Sequence, residues 1–447
     1  MSSSALATDL YQLTMIAGYD TAGVDATATF ELFVRSLPPN RTFLVAAGLE
    51  QALDYLTDLH FTPGDIEWLR SLPTFKTVPA KFFDQTLRDL RFTGDVWAMP
   101  EGTPFFENEP ILRITAPLIQ AQLVETTLLA IINFQTLVAS KAARVVLAAD
   151  GRSVMEFGTR RAHGPDAALH AARAAYIVGC SATSNVEAGR RFGIPLAGTM
   201  AHAWVTSFPD EVEAFRAYAE VFGDRSVFLI DTYDTVAAAR KVVQSGLRPY
   251  AVRIDSGDLI ALSHSVRATL DAGGLLDTRI LASGDMDEWS IAELLSRRAP
   301  IDAFGVGTAI STSRDAPALG GVYKLVEIER DGIDIPVMKL SGGKATSPGR
   351  KQVWRRVVDG RAIGDVIGLE DEQAPPDGRP LLVPVMRGGA VVASAESLDT
   401  IRQRHHALVH ELPVPVLMLR ARETYHVGRT YKLDTLTDYT GQQLRDS

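Results

Sequence analysis

The chain of 447 residues contains a single cysteine, Cys180. One thiol excludes an internal disulfide and any cysteine-cluster metal centre, and it fits a reducing cytoplasm. The N-terminus, MSSSALATDLYQ, carries neither a basic nor an apolar stretch, so no signal peptide is expected. An unbroken apolar run of membrane length is also missing. The most apolar long stretch, LVETTLLAIINFQTLVAS, is interrupted by Glu125, Asn133 and Gln135 and reads as a buried helix. Positive charge is in deficit: 45 Lys and Arg against 54 Asp and Glu leave a formal charge of −9. That balance argues against a nucleic acid or an anionic membrane as the main partner. Low-complexity tracts are absent as well.

What is present is the composition of a globular protein with a large core. Hydrophobic residues make up 46% and charged residues 22%, and the length fits two or three domains. Between about residues 150 and 310, short apolar runs alternate with helical spacing. The runs are SVMEFGTR, IPLAGTMAH, SVFLIDTYD, YAVRIDSGD, RILASGDMD and DAFGVGTA. Alternation of this kind predicts a parallel sheet, and continuous apolar runs predict strands buried on both faces. The spacing favours a closed or nearly closed βα barrel over an open sheet. The flanking regions instead suggest antiparallel strands and turns. We therefore expect an N-terminal α+β domain over 1–128, a βα-barrel domain over 129–344, and a C-terminal segment over 345–447 packing on the first.

Each run is apolar until its end, where it turns polar: Glu156 and Arg160, Thr199 and His202, Asp231, Arg253 and Asp255, Ser283 and Asp285, Gly307 and Thr308. Strand C-termini carry the active site in βα barrels. Turn formers and helix caps account for Ser283 and Asp285. They do not account for Arg160, His202 and Arg253. The glycines in ASGD and GVGT suit the backbone amides of a phosphate site. Arg253 and Asp255 alternate by two and so share one side of their strand. They are either a structural ion pair or an anion contact beside a metal or hydroxyl ligand. His406 and His410 have metal-ligand spacing, but no third ligand is evident and a solvated helix face explains them.

Taken together, these stretches resemble a nicotinate phosphoribosyltransferase over nearly the whole chain. The resemblance rests on TDLYQLTM at 8–15, EFGTRRAHG at 156–164, GCSATSNVEAG at 179–189, GTMAHAW at 198–204, DTYDT at 231–235, VRIDSGDL at 252–259, GVGT at 305–308 and GGVYKLV at 320–326. It implies an irregular βα barrel of the type II phosphoribosyltransferase class, with a second α+β domain formed by both ends of the chain. It implies a homodimer with shared active sites, and transfer of phosphoribosyl from phosphoribosyl pyrophosphate to nicotinate, coupled to ATP hydrolysis and assisted by magnesium. By the same resemblance His202 is the phosphorylated histidine and Asp231 the acid that holds it. Tyr11 of a partner subunit and Phe157 sandwich the pyridine ring, and Thr199 and Arg253 contact the nicotinate carboxylate. Arg160, Gly284, Gly307 and Thr308 lie near phosphates, and Asp255 near the ribose and magnesium. Some bacterial members carry a C-terminal cysteine zinc site, which one cysteine cannot build.

Ser184 bears on acid against amide, because nicotinamide-using relatives place aspartate there. Two alternatives stay open beside nicotinate: a nicotinamide phosphoribosyltransferase, and a non-catalytic paralogue that binds the nucleotide. A phosphosugar lyase or isomerase with a Schiff-base lysine is a third rival, but no strand end offers that lysine.

Overall fold

The structure, a computed structural model, describes residues 5–341, 345–420 and 424–446. The chain divides into two compact units. One comprises Met1–Leu137 with Ala318–Ser447, and the other is the continuous stretch Val138–Pro317.

The continuous unit holds six parallel strands: β1 (Ser153–Glu156), β2 (Ala182–Thr183), β3 (Val227–Leu229), β4 (Ala251–Ile254), β5 (Arg279–Ala282) and β6 (Ala303–Val306). They pair in the order β2-β1-β6-β5-β4-β3, a curled sheet that forms an irregular, partial barrel. The run IPLAGTMAH, expected as a full strand, contributes only one parallel bridge, between Leu196 and Thr183. Pro195 has no N–H to give a ladder, which explains the shortfall.

Side chains alternate across these strands as the pleat requires. Val154, Phe228, Val252, Ile280 and Phe304 are fully buried on one face. On the other face Met155, Ala182, Ala251, Leu281 and Ala303 form a separate cluster with Phe157, Ala197 and Val227. That face is the barrel interior, lined largely by small residues. Two residues further along the same faces stand Phe157, Ser184, Arg253, Ser283 and Gly305. Each lies directly beyond an interior residue, so the pleat carries the interior layer into the mouth at the C-terminal ends.

The helices that follow are started by capping side chains. Asn185 accepts from Ala188 N–H at 2.9 Å. Asp234, Asp258 and Asp287 cap the helices Thr235–Gln244, Leu259–Ala272 and Glu288–Ser296. Three loops thus contain two aspartates each: 231 and 234, 255 and 258, 285 and 287. In each the second is the cap, which leaves the first free of that duty. Asp287 carries the cap, so of the turn and cap duties expected of Ser283 and Asp285 only the turn is left to them.

The other unit is mainly antiparallel. Its interior strand Thr27–Val34 pairs with Pro110–Pro117 on one side and Gly321–Arg330 on the other. Residues 318–344 were expected to close the barrel domain, but their longest strand pairs here. A second sheet is built on the hairpin Lys351–Val358 and Arg361–Leu369. Buried ion pairs, Lys351 with Glu31 at 2.9 Å and Arg355 with Asp365 at 2.6 Å, tie late segments into this unit. Helix Glu125–Ala148 is long and apolar enough to cross a membrane, but 67% of its most apolar window is buried inside the protein.

Candidate active site

The mouth of the barrel opens into two cavities, of about 270 and 360 Å³, which share Phe157, Arg160, Arg253 and Asp255. Their shared lining makes them two arms of one cleft. The first arm adds Arg161, Ser283, Gly284, Asp285, Gly305, Gly307 and Thr308. The second adds Ser184, Thr199 and His202. The structure therefore brings together all the expected site residues of this unit but Asp231, which lies just behind the wall. Tyr11 belongs to the other unit, on helix Leu10–Ala22, and is 48% exposed.

Arg253 is the centre of the cleft. Its Nε donates to Ser283 Oγ at 2.7 Å, Nη1 to Thr199 Oγ1 at 2.8 Å and Nη2 to Asp255 Oδ1 at 2.6 Å. A guanidinium has five N–H donors, so one remains on each terminal nitrogen for an anion. Asp255 is half-buried. Burial pushes its carboxyl up, but hydrogen bonds from Ser283 and Arg253, with the Arg253 charge, outweigh it and hold the group below the usual carboxylate range. It is therefore ionised at neutral pH.

The expected hydrogen bond between Asp231 and His202 is not formed in this structure. Asp231 Oδ2 accepts from Asp255 N–H at 3.0 Å and Ser256 Oγ at 2.6 Å, so it fixes the Asp255 loop. Its buried Oδ1 has no hydrogen-bond partner among the described residues. His202 opens the short helix His202–Thr206 and is exposed. Its Nδ1 lies 3.2 Å from Thr232 Oγ1. Thr232, the residue beside Asp231, was not singled out in the sequence; a threonine next to an aspartate in a turn carries no signal of its own.

Two glycines shape the walls. A Cβ on Gly305 would stand 2.6 Å from the Phe157 ring, so only glycine lets that ring lie across β6. Gly284 has φ +113°, and a Cβ there would meet the Asp255 carbonyl oxygen at 2.6 Å. Gly284→Ala is expected to destabilise the protein by about 2 kcal/mol, the scale of a strained backbone position. It should also displace Asp255 and reduce activity. Chemical denaturation beside steady-state rates checks this, and an alanine variant of unchanged stability contradicts the argument.

Ser184 is exposed at the cleft. The cap of the following helix is Asn185, so capping does not explain the serine. The His406 and His410 rings lie 4.1 Å apart, tilted by 31°, and His410 Nδ1 lies 2.7 Å from the His406 carbonyl. Among the described residues no group of three acidic, histidine or cysteine side chains is placed to hold a metal ion.

Residues 6–133 match the nicotinate phosphoribosyltransferase N-terminal domain family, and residues 138–316 the quinolinate phosphoribosyl transferase C-terminal domain family. A nicotinate phosphoribosyltransferase of Mycobacterium tuberculosis is 46% identical over 416 residues, covering 92% of this chain and 88% of its own. That of Bacillus subtilis is 47% identical over 383 residues, covering 83% and 77%. The crystal structure of human nicotinic acid phosphoribosyltransferase superposes with a TM-score of 0.84 at 30% identity, covering 97% of this chain and 99% of that one. With an identity this high over most of both chains, the protein belongs to the nicotinate phosphoribosyltransferase family.

Proposed function

We propose that the protein transfers phosphoribosyl from phosphoribosyl pyrophosphate to nicotinate, giving nicotinate mononucleotide and pyrophosphate for NAD salvage. The observation that carries this reading is the Arg253 centre. It joins an arm with an aromatic wall and a hydroxyl-lined floor to an arm lined by glycine turns.

The nucleophile is the pyridine nitrogen, which carries no proton at neutral pH. Its lone pair forms the bond to ribose C1 as the C1–oxygen bond breaks, and that electron pair leaves with pyrophosphate. No base is needed. The task of the site is to align the ring and stabilise the leaving charge. Phe157 walls the ring, with Tyr11 of a partner subunit on the opposite face in a homodimer. The spare Arg253 donors and Thr199 hold the nicotinate carboxylate. Arg160 and the backbone at Gly284, Gly307 and Thr308 receive phosphate. Magnesium fits this donor set: Asp255 and Asp285 offer hard oxygens at the first arm, and such an ion is held by one or two carboxylates plus substrate phosphates. When bound, it neutralises charge on the pyrophosphate.

His202 has a separate task. With Nδ1–H given to Thr232, Nε2 presents a bare lone pair. It attacks the γ-phosphorus of ATP, ADP leaves, and hydrolysis of the phosphohistidine returns the imidazole. The buried thiol Cys180 accords with a cytoplasmic setting.

Release of pyrophosphate that depends on nicotinate tests the reaction. Ser184→Asp tests the choice of acid over amide. A carboxylate at this lip faces the substrate carboxylate, while it accepts from an amide NH2. We expect kcat/KM for nicotinate to fall by about thirtyfold, or about 2 kcal/mol, with nicotinamide use steady or higher. A wild type that prefers nicotinamide, or an aspartate variant that keeps its nicotinate rate, contradicts this assignment.

A further inference from the structure

Behind the second arm lies a buried carboxylate that no step above uses. Glu156 ends β1 and is 1% exposed. It does not line the cleft. Its Oε1 accepts from the Gly158 backbone N–H, and its Oε2 accepts from Thr183 Oγ1 at 2.7 Å. Thr183 Oγ1 in turn accepts from Asn185 N–H at 3.0 Å. The backbone closes the same circuit, because Ser184 N–H donates to the Glu156 carbonyl at 3.0 Å. Two cleft residues sit inside this ring of bonds. Phe157 lies between Glu156 and Gly158, and Ser184 between Thr183 and Asn185.

We propose that Glu156, working through Thr183, is a positioning residue for nicotinate that sets the Phe157 wall and the Ser184 lip relative to each other. The inference rests on the reaction assigned above. The chemistry favours a carboxylate over any other group. Both oxygens must accept, one from a peptide N–H and one from a hydroxyl already receiving a hydrogen bond from Asn185. A glutamine has one acceptor oxygen, so its NH2 must face either the Gly158 N–H or the Thr183 hydroxyl. In the first case two donors collide. In the second the hydroxyl proton loses its acceptor. Burial raises the Glu156 carboxyl above its ordinary range, while the bonds from Thr183 and Gly158 oppose that rise; the two bonds are what favour the charged form. None of these bonds reaches the Ser283–Asp285 loop; on the phosphate side the circuit extends only through Gly158, which precedes the turn Thr159–Arg161 that carries Arg160, so phosphoribosyl pyrophosphate should feel its loss less than nicotinate.

The test compares Glu156→Gln, Thr183→Val and Thr183→Ser with the wild type, all as full-length chains. Steady-state rates with each substrate, calorimetric titration with nicotinate alone, and thermal unfolding are measured on each. Losing one such bond is worth about a factor of ten. Glu156→Gln and Thr183→Val should each weaken nicotinate binding and raise its KM by about tenfold, with the KM for phosphoribosyl pyrophosphate within about threefold. Thr183→Ser, which keeps the hydroxyl, should restore wild-type values. If both substrates are affected equally, or if only the melting temperature moves, Glu156 is structural and the proposal fails. If the wild type releases no pyrophosphate with nicotinate, the assigned reaction fails instead; the titrations still read the positioning role, and unchanged nicotinate binding in the variants overturns it.

Discussion

Arg253→Ala should lower kcat/KM for nicotinate on the order of 10²-fold, the largest loss expected from a single substitution in the cleft. Two effects add. The substrate carboxylate loses a charge-assisted partner, and Asp255 loses the guanidinium that pairs with it at 2.6 Å. Removing one member of such a pair leaves a partly buried charge without compensation. Ser283 and Thr199 are also released from the positions that Arg253 holds. Arg253→Lys should recover little of the loss, because one ammonium cannot reproduce a planar fork with three directed bonds and two spare donors. The check is kcat and KM for both substrates in the three proteins. A lysine variant within about threefold of the wild type means that charge alone matters and the fork does not.

His202→Ala should remove ATP hydrolysis stimulated by nicotinate while phosphoribosyl transfer persists without coupling. The two chemistries use different atoms, the pyridine nitrogen in one and the imidazole in the other, so they should separate. Wild type treated with ATP should carry acid-labile phosphate, and the alanine variant should not. Thr232→Val is the companion variant. It removes the oxygen 3.2 Å from Nδ1 and should slow phosphorylation without abolishing it, since the nucleophile remains. Full ATP coupling in His202→Ala overturns the assignment.

Much of this site was legible in the chain because a barrel writes its function at strand ends. Apolar runs that turn polar placed Arg253, Asp255, Gly307 and Thr308 in order, the glycine turn ASGD added Gly284, and period-two spacing put Arg253 and Asp255 on one side of their strand. What could not be read were contacts between loops about thirty residues apart. Nothing in DTYDT says that Asp231 reaches forward to Asp255 and Ser256 while Thr232 takes the histidine. The buried circuit of Glu156 and Thr183 was equally silent, because a glutamate and a threonine at strand ends look like any others until the strands pair. The paired aspartates show the middle case. Their capping role was foreseeable as a class, but which of the two caps depends on where each helix starts, and boundaries are the least determined feature of a sequence. The domain limits were blurred for the same reason. Gly321–Arg330 follows the barrel in the chain, yet its pairing with Thr27–Val34 became visible only in three dimensions.

That pairing bears on how the protein is made. Thr27 sits opposite Glu329, about 300 residues later in the chain. At ribosomal rates of roughly 5–20 residues per second, the early strand waits about 15–60 seconds for its partner. Meanwhile Pro110–Pro117 can cover one of its sides, and the whole stretch Val138–Pro317 has emerged and can close on itself. The other side of Thr27–Val34 remains an open, apolar edge throughout, the kind of surface that recruits wrong partners. The continuous unit Val138–Pro317 should therefore close before the discontinuous unit is complete, and chaperone dependence should fall on the chain's first segment.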